Sequence, residues 1–79
     1  MPTLLVANGL RFFFYSNENS EPIHVHVVKG NAVGKIWLEP VIEIAYLEGF
    51  TKKEERHILQ TIKNEIENFK VKWNEYFSK

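Results

Sequence analysis

Two hydrophobic periods divide this chain. Up to residue 47 the apolar positions come as short runs or alternate with polar ones, and from Thr51 they recur in steps of three and four. The first pattern predicts strands and the second a helix, because side chains repeat every two residues along a strand and every 3.6 along a helix. Residues 3–6 read as a short apolar strand, and Ala7-Asn8-Gly9 as a turn. Residues 10–15, LRFFFY, form an aromatic-rich strand, followed by a polar loop over 16–22. Residues 23–28, IHVHVV, form a third strand, Lys29-Gly30-Asn31 a tight hairpin, and residues 32–38 the return strand. Pro40 interrupts the pattern. Residues 41–47, VIEIAYL, lie between a short strand and a helical turn, and the balance favours a strand or irregular segment that Gly49 ends.

The clearest local signal is Thr51-x-x-Glu54, a capping box that starts a helix at Lys52. Leu59, Ile62, Ile66, Phe69, Trp73 and then Tyr76 or Phe77 form one apolar stripe, uninterrupted by Gly or Pro. The expected fold is α+β: a small antiparallel sheet of three to five strands with one long C-terminal helix packed on one face. Residues 1–79 make a single domain, with 1–50 mainly sheet and connector and 51–78 the helix. A helix of about 25 residues runs to roughly 38 Å, whereas a globule of this size is roughly 30 Å across. The helix therefore bends, frays, or packs its end on something, and the aromatic tail of Trp73, Tyr76 and Phe77 favours packing, either on the sheet's own edge or on a second molecule.

A two-residue loop at Gly30-Asn31 fixes a register, since it pairs Lys29 with Ala32. Ile23, Val25 and Val27 then oppose Leu38, Ile36 and Gly34 on an apolar face that meets the helix. On the other face His26 pairs with Lys35 and His24 with Trp37. In the preceding strand Leu10, Phe12 and Phe14 belong on the helix side, which leaves Arg11, Phe13 and Tyr15 on the other. Arg11, Tyr15, His24, His26, Lys35 and Trp37 are thus expected on the sheet face that a single helix cannot cover.

Composition narrows what that face can do. Ten Lys/Arg balance ten Asp/Glu, whereas a nucleic-acid binder held by phosphate contacts usually carries a basic excess. RNA stays open as a partner without support from net charge. The start of the chain lacks a basic segment followed by a long apolar one, so no signal peptide is expected, and no apolar run reaches the ~20 residues of a membrane span. With no cysteine to form a disulfide, a cytoplasmic location is the expectation.

Three chemistries compete for the face. His24, His26 and Tyr15 could move protons while Arg11 and Lys35 hold an anion, a set suited to metal-independent RNA cleavage. Two imidazoles at i, i+2 could begin a metal site, but three or four ligands are needed, and Glu39, Glu21 or His57 would have to complete it; neither metal nor cofactor is expected. Phe13 and Trp37, with Trp73, Tyr76 and Phe77 of the tail, have the composition of an interface for a homodimer or a dedicated small protein partner. The bland alternative is a solvated sheet with surface histidines.

The residues also resemble a known family. Met1-Pro2-Thr3, Arg11-Phe12-Phe13-Phe14-Tyr15-Ser16, Pro22-Ile23-His24-Val25-His26-Val27, Trp37-Leu38-Glu39-Pro40, Gly49-Phe50-Thr51 and Trp73-Asn74-Glu75-Tyr76-Phe77 are together similar, nearly end to end, to small bacterial proteins of the DUF4160-type family, whose function is unassigned. The resemblance implies a two-protein module of toxin–antitoxin type, with this chain as its toxin-like component or that component's partner. It supplies no mechanism. It places the family's shared histidine motif on His24 and His26 and its aromatic-basic strand on Arg11 and Tyr15. A non-enzymatic interaction or regulatory module is the alternative from a different class.

Overall fold

A computed structural model describes residues 3–15 and 21–77 of the chain. Residues 16–20 of the expected polar loop, and Ser78 at the expected end of the helix, lie outside the described residues. Five strands precede one helix: β1 (Thr3–Ala7), β2 (Leu10–Phe13), β3 (His24–Lys29), β4 (Ala32–Trp37), β5 (Glu43–Glu48) and α1 (Lys52–Phe77). The strands form one antiparallel sheet in chain order, β1-β2-β3-β4-β5. The protein is therefore α+β, with the ambiguous segment before Gly49 resolved as a fifth strand.

Local chemistry sets both tight turns. Asn8 and Gly9 take φ of 54° and 78°, the left-handed pair of a type I′ turn, whose twist matches the flanking strands. At Gly30-Asn31 only the glycine is left-handed, with φ of 58°, as a type II′ turn requires. This second turn fixes the β3–β4 register at Lys29↔Ala32, His26↔Lys35 and His24↔Trp37, as the loop length predicts. Phe13 pairs with His26 across β2 and β3.

The helix starts at the capping box. Glu54 N–H donates to Thr51 Oγ1 at 3.1 Å, and Thr51 N–H donates to Glu54 Oε1 at 2.9 Å. Its apolar stripe packs on Leu4, Leu10, Phe12, Phe14, Val25, Val27, Ile36 and Leu38. The stripe differs by one residue from the expected one: Ile58 is fully buried beside Ile62, Phe69 and Trp73, whereas Leu59 is half-buried. At about 1.5 Å per residue the 26-residue helix is roughly 39 Å long, matching the longest dimension of a body measuring 37 × 23 × 19 Å. The helix thus spans the molecule, and its aromatic end packs on the same chain: Phe14 lies 5.2–5.3 Å, centroid to centroid, from Trp73, Tyr76 and Phe77.

Lys29 Nζ reaches Glu54 at 2.6 Å at one end of the helix, and Lys72 Nζ donates to the Leu4 carbonyl at 3.2 Å near the other. Among the described residues, no helix is long and apolar enough to cross a membrane.

Candidate functional site

The strand parity of β2, β3 and β4 brings the expected side chains together. On the face away from the helix, Phe13 of β2 stacks on His26 of β3 with centroids 5.5 Å apart and planes at 22°. Tyr15 meets the same imidazole edge-on at 4.7 Å and Phe13 at 5.3 Å. His24 stands 5.2 Å from His26 and 5.2 Å from Trp37. Arg11 lies 5.1 Å from the Phe13 ring and Lys35 lies 4.3 Å from the Trp37 ring, both within cation–π range.

This face is less open than the sequence suggests. His24 is fully buried, His26 is 8% exposed and Phe13 is buried as well. The expectation that a single helix leaves the whole face uncovered needs correcting at His24. Trp73 of the helix reaches the His24 ring, centroids 5.1 Å apart, in addition to Phe14. The physical reason is length. A helix running the full long axis carries a large indole to the end of the sheet, where β2 has already stopped at Phe13.

The two histidines therefore differ in role. His24 Nδ1 lies 2.9 Å from the Pro22 carbonyl. A carbonyl only accepts, so Nδ1 carries the proton and donates, which fixes the neutral tautomer and the ring's orientation. Glu21 Oε1 stands 3.9 Å from the same nitrogen. His24 braces its neighbour from the interior, and His26 is the imidazole nearer to solvent, flanked by Tyr15, which is 43% exposed.

Both candidate anion holders already have partners. Arg11 Nε and Nη2 donate to Thr3 Oγ1 at 3.0 and 2.9 Å. Lys35 Nζ donates to Glu21 Oε1 at 3.0 Å. An incoming anion would have to displace a hydroxyl from Arg11 or compete with a carboxylate for Lys35. Glu21, named from the sequence only as one residue that could complete a metal site with the two histidines, thus joins the site as the partner of Lys35.

Of the tail residues, Trp73 meets the site at His24, while all three gather around Phe14. Trp73 is buried, and Tyr76 and Phe77 are half-buried around Phe14, with Trp37 partly exposed beside His24. His57 is exposed and far from the histidine pair; it borders a cavity of about 260 Å³ between the Asn8 turn, Lys29 and the first helical turns. Among the described residues no group of three or more His, Cys, Asp or Glu could hold a metal ion. Glu54, in that cavity's wall, has its carboxyl held below the ordinary value of 4.5, chiefly by the Lys29 ammonium and then by the Thr51 backbone amide.

Neither a search of curated proteins nor one of solved structures gave a match. A family profile described as a domain of unknown function, DUF4160, matches residues 9–74. That span holds every strand but β1 and nearly all of the helix, so the chain belongs to this family.

Proposed function

We propose that this member of the DUF4160 family is the toxin-like component of a bacterial toxin–antitoxin-type pair, acting in the cytoplasm through the face centred on His26. The activity that suits the face is metal-independent RNA cleavage. His26 would take the proton of a ribose 2′-hydroxyl, whose oxygen attacks the adjacent phosphorus. The bond to the 5′-oxygen breaks, and that oxygen leaves with a proton supplied by the Tyr15 hydroxyl. The products are a 2′,3′-cyclic phosphate and a 5′-hydroxyl end. Lys35, once drawn from Glu21, and Arg11 would hold the phosphate as charge develops. His24 would be a positioning residue, since its buried ring contacts His26 and not solvent.

The observation that carries this reading is the pairing of one near-surface imidazole with an exposed phenol 4.7 Å away, flanked by two cations. The test is growth of a bacterial host on tight induction of the wild type beside His26→Gln at equal soluble expression, with RNA ends mapped in the presence of a chelator. Arrest and cyclic-phosphate ends with the wild type alone are expected. Intact RNA, or arrest by both proteins, would refute cleavage at His26.

A second reading has its own support. Val6, Tyr15, Val33 and Tyr46 on this face are all exposed, and an apolar surface of that kind suits a non-enzymatic interaction module. In that case Trp37→Ala weakens partner binding more than His26→Gln does.

A further inference from the structure

β5 is the strand that the helix shelters least, and it stands at the end of the sheet. Among the described residues no strand pairs with its outer edge, so a row of backbone donors and acceptors faces outward there. An irregularity decides what surrounds that row. Lys35 pairs with Tyr46 but Ile36 pairs with Ile44, which leaves Ala45 as an extra residue, a bulge of the kind that re-aims side chains. Glu43, Tyr46 and Glu48, opposite Trp37, Lys35 and Val33, consequently lie on the face away from the helix. Ile44 and Leu47, opposite Ile36 and Gly34, lie on the helix face. Ile44 is 44% exposed and Tyr46 41%.

The charges around this edge are unbalanced. Glu39 is met by Lys70 at 3.7 Å, Glu21 by Lys35 at 3.0 Å and Glu54 by Lys29 at 2.6 Å. Glu43 and Glu48 are exposed, and among the described residues neither takes part in an ion pair. The opposite edge, β1, carries no charged side chain, has an irregularity between Thr3 and Leu5, and already receives Lys72 on its Leu4 carbonyl.

We propose that the outer edge of β5 docks an extended segment of a partner protein, which adds a strand to the sheet. Its side chains would alternate: basic ones opposite Glu43 and Glu48 on the face away from the helix, apolar ones over Ile44 on the other. A second copy of this chain fits less well, because full antiparallel overlap of β5 with itself sets Glu43 against Glu48 twice, and like charges directly opposite destabilise a strand pair. The inference does not depend on whether the histidine face cuts RNA.

The probes are two ten-residue synthetic peptides, one alternating lysine and valine and one alternating glutamate and valine. Each is titrated into the isotope-labelled chain at low ionic strength. The lysine–valine peptide should shift the amide signals of residues 43–48 and bind about tenfold more tightly than its acidic counterpart. The double variant Glu43→Lys/Glu48→Lys, at two exposed positions, should reverse that preference. Ile44→Ser should weaken binding of the basic peptide while leaving the preference for charge intact. Equal binding of both peptides, shifts centred away from β5, or a dimer of the free chain with protected β5 amides would each overturn the assignment.

Discussion

Replacing Phe14 by Leu tests what holds the far end of the long helix. Phe14 is buried just beyond the end of β2, its ring centroid within 5.3 Å of those of Trp73, Tyr76 and Phe77, so one ring gathers three rings from the last two helical turns. Truncation to Ala would cost about 3–5 kcal/mol, against a total of roughly 4–12 kcal/mol for a chain of this length, and would leave too little fold to measure. Leu keeps most of the apolar volume but loses ring geometry worth about 0.5–1.5 kcal/mol per aromatic pair. With partial repacking we expect a loss of about 1–2 kcal/mol, read as a shift of the urea midpoint with unchanged slope. The corresponding fall in Tm is about 5–15 °C. The local signature matters more. Amide exchange should accelerate over residues 73–77 beyond the global change, because the contacts removed are those of the helix end. Phe12→Leu is the comparator, since its aromatic partner is Phe69 at 5.8 Å, further back along the helix; it should lower global stability without that local opening. Equal exchange profiles for the two variants, or a Phe14→Leu loss below about 0.5 kcal/mol, would refute the idea that Phe14 anchors the tail.

Two further predictions concern backbone fit and charge. A Cβ on Gly34 would stand 2.5 Å from Leu47 Cδ2, 3.0 Å from Val27 Cγ1 and 3.2 Å from the Tyr46 carbonyl, so Gly34→Ala should cost about 1–3 kcal/mol in urea unfolding, and a neutral result would mean that β5 can move aside. Glu54 has its carboxyl held below 4.5 in the fold, so the stability it adds is present above pH 4.5 and is lost as pH falls through the lower folded value. Glu54→Gln should therefore unfold at a lower temperature than the wild type at pH 7, with the gap closing toward pH 3, and a gap independent of pH would contradict the Lys29–Glu54 account.

The sheet was legible to the extent that local chemistry determined it. Gly30-Asn31 fixed the β3–β4 register because a two-residue loop admits only one pairing, and Thr51-x-x-Glu54 marked the helix start because each side chain accepts from the other residue's orphan amide. β5 was obscure for a reason now visible. Its bulge at Ala45 breaks the alternation, so Glu43, Tyr46 and Glu48 share a face at spacings of three and two, a pattern that is neither strand nor helix by periodicity. The stripe was misjudged at Ile58 because Ile58 and Leu59 are adjacent apolar residues and only packing decides between them. The burial of His24 was beyond reach for a different reason. It depends on Trp73, 49 positions later in the chain, and strand parity carries no information about how far a helix extends.

In biosynthetic order, the strand sequence has a consequence of its own. Each strand pairs only with its neighbours in the chain, so the sheet can zip up hairpin by hairpin as it leaves the ribosome, with little loop closure to oppose it. The residues that cover its apolar face come last. Until Ile58, Ile62, Phe69 and Trp73 have emerged, the nascent sheet presents Leu10, Phe12, Phe14, Val25, Val27 and Ile36 to solvent. A chain truncated between Gly49 and Trp73 would therefore leave a paired but uncovered sheet, a species suited to capture by chaperones and prone to aggregation.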